Sequence, residues 1–417
     1  GYKTLDEPQA KVLALYRNGA QVEEAAAGDD VIVVLDKTPF YAEMGGQVGD
    51  VGILENGTTL LQVTDTFRIK ESVFGHAAHI KEGSLKAGDV LDAQVDQATR
   101  AAVARNHSVT HIMHKALREV LGAHVAQKGS LVNSKVTRFD FTHDKPMTTE
   151  QIAEVEDIVN AEILANTPVL AREMSIEEAK KAGAVMLFGE KYGATVRVLD
   201  IGTSRELCGG THVARTGDIG CFKIVSEAGI SAGVRRVEAV TGMNALKLMQ
   251  HNAALLTESA ARFKTPAEEL PGKIDRLIAD AHELEKELTA AKDKLAAAQG
   301  ANVVAKAEDV AGVKVLVAVL EGMEAKSLRT TMDDLKNKLG SAVILLAVAG
   351  DKIQFCAGVT KDLTGRIKAG ELVNAAAAVA GGKGGGKPDM AMAGAADVAK
   401  LADAMKAART FIGEKLA

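Results

Sequence analysis

Two pairs of metal-binding side chains carry the sharpest chemistry in this sequence: His107-Ser-Val-Thr-His111 and Cys208-Gly-Gly-Thr-His212. Within each pair the ligands stand four residues apart. In a helix that spacing puts both side chains on one face, and in a turn it lets both reach one ion. Three imidazoles and one thiolate suit Zn2+, a borderline-soft cation usually held by four N and S ligands. The two pairs together therefore predict one shared Zn2+ site built from His107, His111, Cys208 and His212. Either pair alone is a weak signal, and the bland alternative is two exposed helical histidines plus an unrelated buried thiol. Such a site is either closed and structural or open and catalytic, with room for water beside three protein ligands. Two familiar zinc chemistries fit poorly. The H-E-x-x-H motif needs a general-base Glu beside its first His, where Ser108 stands. The deaminase pattern needs a Glu two residues after the ligating His and a C-x-x-C pair, and both are missing.

The elements that must position these ligands fall into four segments. Residues 1–97 alternate short apolar runs, such as Val31-Ile-Val-Val-Leu35, with turn residues such as Asn56-Gly57, a hairpin signal. Strands this short must share a core, so a small β-barrel-like subdomain is expected. Over residues 98–250 a helix from Ala101 to Leu121 carries His107 and His111. His114, one turn further, reads as a helix-surface histidine, with a spare ligand or a partner behind the ligands as the alternatives. Strands at Ser130–Val132, Val136–Phe141 and Thr195–Leu199 and a helix from Thr148 to Ala165 complete an α+β unit, with Cys208 in a turn. Residues 251–305 form a helical spacer. Within it Ile274, Leu277, Ala281, Leu284, Leu288, Ala291, Leu295 and Ala298 recur at coiled-coil-like spacing. That seam could pack on another helix or a second chain, and a solvent-exposed single helix is the alternative. In residues 306–417, apolar strands at Val313–Leu320 and Ala342–Val348 flank a charged helix at Ala325–Leu339, a β-α-β pattern with a third strand at Ile353–Val359. There Gly381–Pro388 reads as a mobile loop and Ala395–Leu416 as a terminal helix. The fold class is α+β, multidomain.

A chain of 417 residues accommodates several cores. Its net charge of −5 rules out global attraction to nucleic acid, so any RNA contact must come from local basic groups. Three cysteines make no disulfide framework, which favours a reducing, cytoplasmic setting. No apolar run of about 18 residues would span a bilayer, so no membrane partner is expected.

The ligand pairs, preceded by Ala42-Glu-Met-Gly-Gly-Gln47, resemble the editing domain of alanyl-tRNA synthetases. Gly381-Gly-Lys-Gly-Gly-Gly-Lys-Pro388 followed by Asp389-Met-Ala-Met-Ala-Gly394 resembles the C-terminal, DHH-associated tRNA-binding domain of the same family. The order is the family's order, and the resemblance covers nearly the whole chain. It implies hydrolysis of the ester that joins serine or glycine wrongly to tRNA(Ala). A pocket for a small amino acid cannot reject near-isosteres strongly enough by binding alone. An activated ester needs chiefly positioned water and oxyanion stabilisation.

In that reading Thr110 and Gln127 stand at the reacting end. Thr110 either presents its hydroxyl beside the metal or merely bonds a helix carbonyl. Gly209 and Gly210 would bring backbone to the substrate, and Gly45, Gly46 and Gln47 would do likewise, with a plain glycine turn as the safer reading of those three. Glu43 and Asp50 flank the glycine turn with no evident partner. Arg235 and Arg236, with Lys383 and Lys387 in the glycine loop, would meet the tRNA phosphates. A homodimer through the spacer or the C-terminal domain is a further expectation. Members of the family carry an aminoacylation domain with ATP-binding motifs first. Gly1 therefore reads as a boundary within a longer protein, and this chain alone is expected not to charge tRNA. Two other readings stay open at this level: a free-standing deacylase acting in trans, and a non-catalytic zinc module that binds tRNA.

Overall fold

The computed structural model describes residues 4–70, 72–186 and 193–417, with backbone alone at 296, 297 and 299–302. The chain divides into two compact units, residues 1–259 and 260–417, each described here by itself.

The first unit begins with nine strands: β1 (Asp6–Arg17), β2 (Ala20–Val22), β3 (Glu24–Ala26), β4 (Asp30–Leu35), β5 (Gly52–Glu55), β6 (Leu60–Lys70), β7 (Val73–Glu82), β8 (Ser84–Lys86) and β9 (Val90–Val95). Six of them close on themselves in the order β1-β4-β7-β6-β5-β9, with β9 pairing back to β1. This is the expected small barrel, and closure leaves no free edge among those six strands. Alternate residues point inward, so Val12, Val31, Val33, Leu54, Leu61, Val63, Ile80 and Leu91 fill the interior. Asn56-Gly57 makes the β5–β6 turn, where Gly57 has φ 83° and the Asn56 Oδ1 accepts from Thr58 N and Thr59 N.

The barrel also encloses a titratable group, His76 on β7, which is fully buried. Its Nδ1–H donates to Val33 O at 2.9 Å, and its Nε2 accepts from the Thr38 hydroxyl at 2.8 Å. Burial, only partly offset by the Val33 bond, pushes its pKa down to about 4. The folded state therefore refuses the proton that the unfolded chain takes up below its ordinary value of 6.5. Stability should fall by roughly 3 kcal/mol as pH drops from 6.5 to 4. Urea unfolding across that range checks this. A His76→Asn variant keeps a donor near the Nδ1 position, cannot titrate, and should show a flatter pH dependence.

Helix α1 (Gln97–Leu121) follows the barrel at once, four residues earlier than its apolar period suggested. Asp96 caps it by accepting from Thr99 N at 2.7 Å. It is the central element of this half of the unit, with nearly every residue from Val103 to Leu117 buried. Around it lie β10 (Gln127–Val132), β11 (Thr137–Thr142), α2 (Thr149–Leu164), β12 (Leu170–Ser175), α3 (Ile176–Lys181), β13 (Thr195–Ile201), β14 (Ser204–Leu207), β15 (Phe222–Ser231) and β16 (Val234–Thr241). These strands form a four-stranded sheet, β10-β11-β16-β15, and a three-stranded one, β12-β13-β14. Both are antiparallel. Val109, Met113, Leu117, Phe139, Phe141, Val155, Val159 and Val237 knit α1, α2 and the larger sheet together. Thr148 caps α2 in a capping box with Gln151. Helix α4 (Gly242–Arg262) runs across the division between the units.

The second unit opens with α5 (Leu270–Val304), a continuous helix of 35 residues. Its seam residues Ile274, Leu277, Leu284, Leu288 and Leu295 are exposed, Leu284 at 63%. Beyond it come β17 (Glu308–Val310), β18 (Val313–Val319), α6 (Leu328–Leu339), β19 (Ala342–Ala349), β20 (Ile353–Val359), α7 (Ala369–Val379), β21 (Lys383–Lys387), β22 (Met390–Ala395) and α8 (Leu401–Leu416). The six-stranded sheet runs β17-β18-β19-β20-β22-β21. β18 and β19 are parallel across α6, as the β-α-β pattern predicts. One expectation fails here. Gly381–Pro388 is not a loop: its centre is β21, an edge strand zipped to β22. A Cβ on Gly382, Gly384 or Gly386 would lie 2.2–2.4 Å from carbonyl oxygens of β22. The glycines therefore permit close strand approach, where the composition suggested mobility. No helix among the described residues is long and apolar enough to cross a membrane.

Candidate metal centre and its pocket

Helix α1 and the segment after β14 bring the two ligand pairs together. The ligand atoms of His107, His111, Cys208 and His212 all lie within 4.8 Å of one another. Cys208 Sγ is 3.4 Å from His107 Nε2 and 3.2 Å from His212 Nε2. The Nε2 of His111 is buried with no hydrogen-bond partner.

Each imidazole turns its Nε2 inward because its Nδ1 is held from outside. His107 Nδ1 donates to Gln47 Oε1 at 2.7 Å, and His111 Nδ1 donates to Glu206 Oε2 at 2.5 Å. His212 Nδ1 lies 3.2 Å from Ser108 Oγ. Such outer partners fix the tautomer and aim of histidine ligands in metal sites. The donor set, the orphaned Nε2 and three oriented rings fit Zn2+, which these four side chains would hold.

The electrostatics also fit a cation. Burial would raise the Cys208 thiol, but His107, His212 and His111 beside it pull it well below its ordinary value, toward the thiolate that a metal requires. Burial would likewise raise Glu206, yet His111 and His114 hold it down at about 2. Burial opposes charge on His111, but the Cys208 thiolate and the Glu206 carboxylate raise it to about 10. His212 goes the other way, with burial lowering it to about 3.

Glu206 has no counterpart in the sequence reading. It sits two residues before Cys208 with both oxygens engaged, one by His111 and the other by His114 Nδ1 at 2.9 Å. His114 is accordingly buried, at 3% exposure, and not on the helix surface as expected. The available signal was its spacing: His107, His111 and His114 at i, i+4 and i+7 share one helical face.

A cavity of about 280 Å³ opens onto these groups, lined by Gly45, Thr110, His111, Gln127, Cys208 and Gly210 among others. It receives Gly209 as well. Gln47 is placed differently from its expected substrate contact. Its side chain is fully buried, and it accepts from both His107 and Thr211 N while donating to Thr211 Oγ1 at 2.9 Å. Gly46 has φ 85°, and a Cβ there would meet Ser130 O at 2.6 Å, so it serves the turn that delivers Gln47. Thr110 gives its proton to Asn106 O at 2.7 Å and sits 2.6 Å from the Thr137 hydroxyl, which leaves it only acceptor capacity toward the cavity. Asp50, read as partnerless, is buried against Arg100, whose Nε lies 2.8 Å from Asp50 Oδ1. It also accepts from Tyr41 N at 2.7 Å, bolting the glycine turn to α1.

The basic residues separate. Arg235 and Arg236 are neighbours on β16 and so point to opposite faces. Arg235 pairs with Glu227 and Arg236 with Asp140, the latter at 2.6 Å. They therefore make no joint cationic patch. Lys383 and Lys387 are exposed on one face of β21, at the edge of the sheet in the second unit.

Comparison with known proteins gives the lineage. Residues 1–99 match the family described as tRNA synthetases class II (A). Residues 196–238 match the threonyl and alanyl tRNA synthetase second additional domain, and residues 312–414 match the DHHA1 domain. Among curated proteins, alanine–tRNA ligases of Methylibium petroleiphilum and Delftia acidovorans are each 58% identical over the whole chain, which spans 48% of each of them. That of Bordetella pertussis is 56% identical, again over the whole chain. The chain thus spans about half the length of the curated relatives it matches. A solved C-Ala domain from Aquifex aeolicus alanyl-tRNA synthetase is 31% identical over 26% of this chain and 96% of that one, at a TM-score of 0.24. Matched from end to end by alanine–tRNA ligases, and carrying a second additional domain followed by a DHHA1 domain, the chain belongs to the alanyl-tRNA synthetase family.

Proposed function

We propose that the first unit hydrolyses seryl- and glycyl-tRNA(Ala), and that the second unit holds the tRNA. The observation that carries this reading is the small cavity lined by three of the four clustered metal-ligand side chains, His107, His111 and Cys208. At about 280 Å³ it is at the low end of ligand pockets, suited to an aminoacyl end and not to a whole nucleotide. A bound Zn2+ would supply Lewis acidity and could lower the pKa of a water.

The remaining work falls to the chain itself. Gln47, Glu206 and Ser108 orient the imidazoles, while Gly45 and Gly209 keep the cavity wall open to a substrate backbone. The Thr110 oxygen, its own proton committed, can accept a hydrogen bond from a seryl hydroxyl. Alanine has no such donor, and a site built around that bond would discriminate against it. Gln127 lines the same cavity, where its amide could hold a water. Lys383 and Lys387, with Gly385 open between them, offer two cations to a phosphate backbone that can come close. Zn2+ as cofactor, the four domain boundaries read from the sequence, a cytoplasmic setting and a homodimer through α5 or the C-terminal domain belong to the same proposal.

The test is to incubate the chain with seryl-, glycyl- and alanyl-tRNA(Ala) and follow amino-acid release, beside Cys208→Ala. Rapid release of serine and glycine with alanine spared, reduced on the order of a hundredfold or more in the variant, is expected. Zinc-loaded, tRNA-binding protein that releases nothing would instead support a binding module.

A further inference from the structure

We infer that Arg197, on the middle strand of the three-stranded sheet, is a positioning residue that sets the conformation of the Cys208–Gly210 segment and so the aim of the Cys208 thiolate. The inference rests on the metal-centre reading above. Arg197 Nη1 donates to Cys208 O and to Gly210 O, each at 2.9 Å, and its own carbonyl accepts from Cys208 N at 3.0 Å. The carbonyls of the segment therefore face Arg197. Beyond Cys208 the amides turn to other partners: Gly210 N donates to Cys208 Sγ at 3.4 Å, Thr211 N to Gln47 Oε1 at 2.9 Å, and Val213 N to Ser108 Oγ at 3.1 Å.

This polarity is not intrinsic to the sequence. Gly209 and Gly210 have no Cβ to restrict them, so the peptide planes between Cys208 and Thr211 can rotate at low steric cost. A guanidinium fixed on a strand and bonded to two alternate carbonyls removes that freedom. Arg197 also lines a second cavity of about 590 Å³, bordered on one side by Thr211, His212 and Val213. Behind the segment there is thus room for water to replace a lost guanidinium, which keeps the carbonyls solvated. Loss of Arg197 should consequently loosen the thiolate geometry without unfolding the unit.

The experiment compares wild type, Arg197→Lys and Arg197→Gln. Three readouts are taken: thermal melting without metal, Zn2+ affinity by chelator competition, and the thiolate-to-metal charge-transfer band after Co2+ substitution. Expected is a metal-free melting temperature close to wild type in both variants. Zn2+ affinity should fall roughly 10–100-fold in Arg197→Gln, with a smaller drop in Arg197→Lys, whose single ammonium reaches less far. The Co2+ band should weaken or shift in the same order. Wild-type affinity and spectrum in both variants, or losses that merely track the melting temperature, would overturn the inference. If Arg197→Gln does not fold, Arg197→Lys decides alone: weaker metal binding at unchanged metal-free stability upholds the inference, and wild-type binding sinks it. A wild-type protein that takes up neither Zn2+ nor Co2+ would instead defeat the metal-centre reading itself.

Discussion

Glu206→Ala is expected to lose roughly 3–5 kcal/mol of stability and to weaken metal binding 10–100-fold, effects of the size seen when one partner of a buried ionic network or an outer partner of a metal ligand is removed. The reason is the double engagement of the carboxylate. Its two oxygens take the Nδ1 protons of His111 and His114, and all three side chains are buried. Alanine leaves two buried donors without an acceptor and frees the His111 ring to turn its Nε2 away from the cluster. Glu206→Gln is the milder test. Its amide oxygen still accepts from one histidine while its NH2 faces the Nδ1–H of the other, so one ring must change tautomer. Calorimetric unfolding and chelator competition on the two variants measure the effects. An Ala variant with wild-type metal affinity would show that the carboxylate does not orient His111.

Gly210→Ala is the second large effect. A Cβ at this position would stand 2.0 Å from His107 Cε1, 2.3 Å from His107 Nδ1 and 2.8 Å from Gln47 Oε1. These atoms belong to a ligand and its outer partner, both buried, so neither can swing clear without surrendering its hydrogen bond. The segment must move outward by an ångström or more, taking Cys208 and His212 with it. Overpacking of this kind costs about 1–3 kcal/mol, and the displaced ligand set should bind metal at least a hundredfold more weakly. Gly272→Ala, in the exposed helix α5 where nothing lies within 4 Å, provides the control and should leave both readouts near wild type. Equal metal affinity in Gly210→Ala and wild type would mean that the cluster is not held as described.

What the sequence made legible followed periodicity and residue type. The barrel was readable because short alternating strands with Gly and Asn turns leave few other ways to bury Val33, Leu61 and Ile80. The ligand quartet was readable because two pairs of N and S ligands recur at one spacing, which puts His107 and His111 on one face of α1 and lets Cys208 and His212 reach one ion from a turn. Illegible were relations set by long-range contact. Glu206 looks like any acidic residue beside a cysteine until β14 lays it against α1. The glycine turn at Gly45-Gly46 was readable, but nothing in it announced that the Gln47 side chain meets His107, 60 residues along the chain. Arg235 and Arg236 promised a basic patch because adjacency in sequence resembles adjacency in space, whereas a strand sends neighbours to opposite faces. The glycine run from 381 to 386 misled in the same manner. Composition reported freedom, and the fold used the missing Cβ atoms for contact with β22.

The ligands also have a topological consequence. Each pair is local, four residues apart, but His107 and Cys208 are 101 residues apart. An unfolded chain retains two weak bidentate half-sites, and folding raises the effective concentration of one at the other. Tight tetradentate chelation thus appears only when both halves have docked, so an ion held there would close a loop of about a hundred residues in the folded unit and be released, or held by one half-site, when the unit unfolds. Free metal activity then becomes a thermodynamic variable of folding for this unit. Residual binding by the separate half-sites sets how far that stabilisation can go.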